Sequence, residues 1–490
     1  MLGIDLSTTS AKAGVLAADG RLVAVEIIDY ESRYGPGGIV EQDAFAWWDA
    51  ATRAVRAVLA HVPDAAVEGV SISSQGITVV PVGDDNQPIR AALTWLDLRA
   101  TAEAGALAAA GAAAIFRLTG RRPSAAYTLP KLMWLRLHEP DVFTRARAFL
   151  LPMDFLLARL TGVRTTDHTM ASGTLCYDLT ALGWSPALLQ HAALDATRLP
   201  PIQWAASLAG SVNRDASRAT GLREGTPVFV GGQDQKCAAL AAGLESDVVT
   251  VSLGTAAAMI ALTREATLDP AMRVPACPYL FPGGWLLEGV VGTAGASLAW
   301  LRRILEGAGG LPLDYEVITS RAGQSPIGAR GVRFYPHLSG ATAPSWHADA
   351  RGAFCGLELS TTLDDCARAV LEGVALQVRA NLDAMTELGV RPSSLRVFGG
   401  GARSSLWREI LAAATGLPII HFDLVEAAVL GAAALAALGA GLWTSPSAGV
   451  AALRRWGGEH RVQPAAAAVE AYDRVYAEYR ATEARVIGHA

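Results

Sequence analysis

The chain opens on an apolar run, "MLGIDL", breaks into a polar turn, "STTS", and resumes as "AKAGVLAADGRLVAVEIID". Short apolar runs bounded by small polar residues predict β-strands, and "ADG" between two of them predicts a hairpin. Next comes the amphipathic helix pattern "FAWWDAATRAVRAVLAHV", then a strand ending in small polar residues, "VEGVSISSQG". A variable stretch of helical patterns runs from about residue 100 to 225. The second half then replays the opening. "VVTVSLGTAAAMIAL" again places a small polar turn between two apolar strands, and a helix pattern, "AVLEGVALQVRANLDAMTEL", again precedes a strand and glycine turn, "SLRVFGGGARS". A repeat of this kind shows how a core is built. The expectation is an α/β protein of two similar domains, residues 1–245 and 246–490, facing each other across a cleft. In such folds ligands bind at the carboxyl ends of the strands.

Composition sharpens this in a few places. A chain of 490 residues exceeds one ordinary core, and two domains of roughly 200–250 residues are expected. Hydrophobic content of 51% with 18% charged residues excludes a disordered chain. The net charge of −5 offers no basic surface for nucleic acid. Five widely spaced cysteines without a CxxC pair, and nine histidines without an HExxH cluster, fit reduced thiols in a cytoplasmic protein and exclude a zinc framework. The start of the chain lacks the basic residues and long apolar run of a secretory signal. The most membrane-like segment, "AAVLGAAALAALGAGLW" at 427–443, follows Asp423 and Glu426. It falls short of a span of roughly 20 residues and reads as a buried helix.

Candidate chemistry sits in four turns after predicted strands: "DLSTTS" (5–10), "GGQDQ" (231–235), "SLGT" (252–255) and "GGGARS" (399–404). Backbone N–H groups in tight turns, hydroxyls and helix N-termini are what hold phosphates. Hairpins and caps use the same residues, so each turn alone has a structural reading. Two equivalent turns from two repeated units would converge on one anion. No GxxxxGK[ST], GxGxxG or GxSxG motif of the P-loop, Rossmann or hydrolase type is present. Asp5, at the end of a buried strand, is an Asx-turn residue or a carboxylate directed at a hydrated Mg²⁺. Asp234, in the turn "GGQDQ" after two glycines and before the amide of Gln235, is a helix cap, a metal ligand or a base.

The segments "GIDLSTTSAKAGVL", "GGQDQ", "VSLGT", "YPHLSGATAP", "RGAFCGLELSTTLDDCARAVLEGVA" and "FGGGARSSLWREILAAATGLPI" together resemble the FGGY carbohydrate kinases, and among them the xylulokinase branch. The likeness runs from residue 2 to about 440, in order; Cys366 stands where an aliphatic residue is usual. It implies two domains of the actin, hexokinase and Hsp70 type (ribonuclease H-like), and transfer of the γ-phosphoryl of ATP, with Mg²⁺, to a sugar or polyol hydroxyl. It makes Asp234 the general base and Asp5 the early aspartate, reaching Mg²⁺ through water. Ser7, Thr8, Thr9, Gly254 and Thr255 would face the phosphates. Gly400, Gly401 and Ala402 would line the adenosine site, helped by the segment around Glu426. A homodimer is a further expectation, since dimers are common in that family; no nucleic acid or membrane partner is expected.

The acceptor pocket shows departures. "SSQGI" keeps Gln75 but has Gly76 and Ile77 where xylulokinases usually carry Met-His, which removes an imidazole expected on a sugar hydroxyl. "TWLDLR" matches the family's Trp-x-Asp-x-Arg, making Trp95, Asp97 and Arg99 candidate sugar contacts, with a core Trp and a surface ion pair as the structural alternative. Gln235 stands where xylulokinases commonly have Asn, and Ala341-Thr342 where Glu-Arg is usual. D-xylulose is the leading acceptor, with gluconate, ribulose, erythritol or another polyol as alternatives. A non-catalytic actin-like module that binds ATP and senses sugar is the reading from another class.

Overall fold

The computed structural model describes residues 1–63, 66–307, 314–424 and 426–487. Two large sheets organise it. The first contains β1 (Leu2–Leu6), β2 (Ser10–Leu16), β3 (Leu22–Asp29), β4 (Val70–Ser74), β5 (Leu208–Ser211) and β6 (Pro227–Gln233), in the order β5-β6-β4-β1-β2-β3. The second contains β7 (Val248–Leu253), β8 (Ala257–Thr263), β9 (Ala276–Pro278), β10 (Trp285–Val291), β11 (Ser394–Phe398), β12 (Ile419–Phe422) and β13 (Glu459–Val462), ordered β9-β10-β8-β7-β11-β12-β13.

Six strands of the second sheet match the first one for one. β1 is antiparallel to β2 and parallel to β4, as β7 is antiparallel to β8 and parallel to β11. β4 runs parallel to β6 as β11 does to β12, and β5 and β13 close the edges antiparallel. The repeat legible in the sequence is therefore a repeat of topology. Its parallel strands β1, β4, β7, β11 and β12 are buried along almost their whole length, as strands covered on both faces must be, and the polar residues they carry, Asp5 and Ser73 among them, are buried with them.

Four helices matter for the site. Helix α1 (Ala44–Ala60) is capped by the Asp43 carboxylate, which accepts the N–H of Phe45, and buries Trp47, Val55 and Val58. Helix α2 (Asp234–Ala241) leaves the end of β6. Helix α3 (Leu363–Glu387) crosses the second sheet and starts with a Thr362/Asp365 capping box. Helix α4 (Ala427–Gly439) leaves the region after β12 but packs on α2, β1, β4 and β6 of the first sheet. Its alanines and glycines make that approach: a Cβ on Gly3 would lie 2.2 Å from the Val429 carbonyl oxygen, and one on Gly431 2.0 Å from that of Cys237. The segment expected to be a buried helix is one, with Val429 to Ala437 buried, and it stitches the second half onto the first.

One helix among the described residues, Thr101–Thr119, reaches the length and mean hydropathy (1.2) of a membrane span. Its Leu107, Ile115 and Phe116 are buried in the protein, Gly111 breaks it at φ 145°, and 28% of its apolar window is buried, the remainder being mostly exposed alanine.

Candidate active site

Strand register brings the first acids together. Asp5 lies opposite Ser73 on β4, and Ser73 lies opposite Gly232 on β6. Three parallel strands thus end at one level, with Asp234 two residues beyond Gly232 at the first turn of α2. Asp234 is itself the first helical residue and Gln233 is the N-cap, one position earlier than a capping role for Asp234 would require. The carboxylate still benefits from the helix N-terminus. Its Oδ1 accepts the N–H of Gln235 at 2.6 Å and the Nε2 of Gln233 at 2.5 Å. Burial pushes the Asp234 carboxyl up to about 6, against the pull of the Gln235 N–H and the charges of Lys236 and Lys12.

Asp5 is 2% exposed, and its Oδ1 accepts a hydrogen bond from the Ser73 hydroxyl at 2.8 Å. Burial, and then the neighbouring charge of Asp234, raise it to about 7. Two acids raised by burial, one of them also by the charge of the other, form a site short of positive charge. Lys12, the cross-strand partner of Asp5, supplies part of it. Burial alone would lower the Lys12 ammonium; the carboxylates of Asp5 and Glu426 hold it above its usual value. Its Nζ stands 2.5 Å from Glu426, the αL residue at the start of α4, and so ties the first hairpin to the second repeat. The sequence signal for Lys12 was a lone charge in the apolar strand "AKAGVL".

A second ionic link spans the halves. Glu288 on β10 pairs with Lys236 on α2 and, at 2.6 Å, with Arg121, which also donates to the Ser172 carbonyl at 3.0 Å. Burial pushes Glu288 up, but the two cations hold it at about 2. This triad went unnoticed in the sequence because its members are 167 and 52 residues apart.

The hydroxyl turn after β1 is tightly held. Ser7 Oγ donates to the Ser10 carbonyl at 2.9 Å, the Tyr30 hydroxyl donates to the Ser7 carbonyl, and the Thr8 carbonyl accepts Gln42 Nε2 at 2.6 Å. Thr9 is exposed. The equivalent turn after β7 docks on the start of the helix Gly295–Gly307: Gly295 N–H donates to the Gly254 carbonyl at 2.9 Å, and Ala294 and Ala296 N–H groups to that of Thr255, each at 3.0 Å. After β11, Gly399 takes φ 91° and leads into a 3₁₀ turn over Gly400–Arg403, in which Gly400 is exposed and Ala402 buried. A cavity of about 340 Å³ opens beside this turn, lined in part by Thr319, Ser320, Arg403 and Ser404.

The expected acceptor residues divide. Trp95 is 39% exposed, and its indole donates to the Thr8 hydroxyl at 3.0 Å, so this segment meets the hydroxyl turn. Asp97 is fully buried; it accepts the Val40 N–H at 2.7 Å and is bound by Arg99, which also reaches Glu41 at 2.7 Å and lies over the Trp134 ring. Theirs is an interior ion pair supporting the wall, and the indole is the part that faces outward. Gln75 is buried too, its Nε2 donating to Gln42 Oε1 at 2.9 Å and its Oε1 accepting from Thr78 at 3.4 Å. Gly76 and Ile77 are half-buried, with Ile77 at φ 56°, and the Ile77 carbonyl accepts the Thr128 hydroxyl at 3.0 Å. Gln235 is half-buried beside Asp234, and the residue left out of the sequence reading, Gln233, is the one that touches the base.

Paired sheets whose strand ends present hydroxyl turns, glycine turns and a carboxylate at a helix start define a two-domain sugar kinase fold. Residues 1–241 match the N-terminal domain of the FGGY family of carbohydrate kinases and residues 249–440 its C-terminal domain. The chain belongs to this family, and it is an ATP-dependent sugar kinase. It is 30% identical to a xylulose kinase of Escherichia coli over 85% of this chain and 84% of that one. It is also 30% identical to an autoinducer-2 kinase of Salmonella paratyphi A, over 98% of this chain and 94% of that one. A solved xylulose kinase structure from Brucella ovis superposes with a TM-score of 0.91 at 29% identity, covering 98% of each chain.

Proposed function

We propose that the protein phosphorylates D-xylulose, giving D-xylulose 5-phosphate, with Asp234 as general base. The carrying observation is the state of that carboxylate: Oδ1 is fixed by two N–H donors, while no hydrogen bond to Oδ2 occurs among the described residues. A half-held carboxylate near pKa 6 is ionised at neutral pH and still basic enough to accept a proton. In the step proposed, Oδ2 accepts the proton of the acceptor hydroxyl as its oxygen attacks the γ-phosphorus of ATP. The bond from that phosphorus to the β–γ bridging oxygen breaks and ADP leaves.

The turn of Ser7, Thr8 and Thr9 and its counterpart at Gly254 and Thr255 would receive the phosphates. Gly400, Gly401 and Ala402, with the adjoining cavity, would take the adenosine. The adjacent Asp5 and Asp234 fit a hydrated Mg²⁺ carried on the phosphates, Asp5 acting through water, because each raises the need for a nearby cation. The metal would neutralise phosphate charge. Trp95, Gly76, Ile77 and Gln235 would border the acceptor, with Gln75, Asp97 and Arg99 holding that wall from behind.

A second acceptor is favoured by one observation: Gly76 and the αL Ile77 offer no imidazole where the resembling kinases have one. Gluconate, ribulose, erythritol or another polyol would then be the substrate. ADP release over a panel of these with D-xylulose tests the choice. A kcat/KM for D-xylulose at least about tenfold above the others supports it; a preference for any other acceptor refutes it. A chain that binds ATP and sugar but releases no ADP would instead be a sensor.

A further inference from the structure

Asp234 stands between two glutamines whose side-chain oxygens, Gln233 Oε1 and Gln235 Oε1, are both buried and have no hydrogen-bond partner among the described residues. Buried carbonyl oxygens without a donor are destabilising and rare, and two of them beside a base call for donors from outside the chain. Neither glutamine is loosely placed. The Gln233 N–H donates to the Thr169 hydroxyl at 2.9 Å, and its Nε2 donates to Asp234. The Gln235 backbone N–H donates to the same carboxylate oxygen. Room for the Gln233 side chain comes from across the sheet: a Cβ on Gly76 would lie 3.1 Å from Gln233 Cγ and 3.7 Å from its Nε2. Gln75, the neighbouring amide, is engaged with Gln42 and Thr78 and has no such free acceptor.

We infer that Gln233, seated against Gly76, is a specificity-determining residue: one end of its amide holds the base, and the other, with Gln235, accepts hydrogen bonds from hydroxyls flanking the one that reacts. The acceptor segment at Asp234 is then an uncharged run of adjacent hydroxyls. A carboxylate in that segment would meet two carbonyl oxygens as well as the charges of Asp5 and Asp234. This inference rests on Asp234 being the base of the proposed function.

The test compares the unaltered enzyme with Gln233→Met, which keeps length but removes donor and acceptor, on the best acceptor and on its analogue lacking the flanking hydroxyl. KM for the parent acceptor should rise about tenfold, and the change for the deoxy analogue should stay under about twofold. The acid limb of kcat should also move to higher pH, because the lost Gln233 N–H bond helps keep Asp234 ionised. The other groups facing Asp234, namely Lys236, Lys12 and Asp5, are untouched by the substitution. Gly76→Ala, which crowds Gln233 without altering it, should raise KM in the same direction by less, and decides the matter if Gln233→Met does not fold. Equal losses on both acceptors, or an unchanged KM with an unmoved acid limb, overturn the role of Gln233. Should the unaltered protein phosphorylate no acceptor, the kinase step itself fails, which is a separate result.

Discussion

The two repeats share a topology and differ in where they put their acids. In the first, the strand ends carry Asp5 and Asp234, both raised toward neutrality by burial, with Asp234 held through Oδ1 alone among the described residues. In the second, the corresponding region after β12 carries Asp423 and Glu426, and both are occupied. Asp423 is within 3.2 Å of His421 and 3.4 Å of His460 at the sheet edge, while Glu426 holds Lys12. The turns after β7 and β11 in the second repeat carry no acid, being built from glycine, serine, threonine, alanine and Arg403. Duplicated scaffolds thus supply two sets of glycine- and hydroxyl-rich turns; the acids beside the first are buried and raised toward neutrality, while those beside the second are paired with Lys12 or with imidazoles. The asymmetry fits a reaction in which one side positions a nucleotide and the other deprotonates an alcohol.

The strongest way to break that comparison is Asp234→Asn. Turnover should fall roughly 10³-fold, within the usual contribution of a general base, with ATP affinity kept because the second repeat is intact. Steady-state ADP release and nucleotide titration measure the two. The unaltered enzyme should lose rate as pH falls through about 6, where Asp234 takes up its proton. Near-normal turnover of Asp234→Asn would remove the functional distinction between the repeats.

Much of this division was legible in the sequence, for a physical reason: strands and turns are local. "MLGIDLSTTS" and "VVTVSLGT" predict a strand and its turn without distant residues, so the repeat and the positions of Asp5 and Asp234 could be read directly. What could not be read depends on remote partners. Gln75 and Gln233 are both glutamines beside small residues, yet Gln42 claims one and Gly76 makes room for the other. The alanine-rich run of α4 has no apolar stripe to show which sheet it covers, and it covers the one from the other half of the chain. The Arg121–Glu288–Lys236 triad exists only after both halves have folded.

A smaller effect should come from the second repeat. A Cβ on Gly401 would lie 2.9 Å from the buried Trp407 ring and 3.2 Å from the Leu253 carbonyl oxygen, so Gly401→Val must shift the turn. KM for ATP should rise about tenfold while KM for the acceptor stays within about twofold, a split that initial-rate kinetics resolves. A matching rise in acceptor KM would mean that the two repeats do not divide the substrates between them.

The mildest change tests how the repeats are joined. Glu426→Gln removes the carboxylate from Lys12 but preserves the size of the side chain, and both groups are about a fifth to a quarter exposed. An ion pair that is partly solvated contributes on the order of 1 kcal/mol, which for a chain of this size lowers Tm by a few degrees at most. The chemical effect is more informative. Lys12 would then answer only to Asp5 and Asp234, its remaining carboxylate neighbours. Its charge, less neutralised, should lower the Asp234 pKa and extend activity to more acidic pH. A pH–rate profile of Glu426→Gln should therefore show its acid limb displaced downward, by a fraction of a unit, with little loss at pH 8. An acid limb displaced upward would show that Glu426 acts on Asp234 by positioning Lys12 close to it, and that the join between the repeats, more than the charge it carries, sets the state of the base.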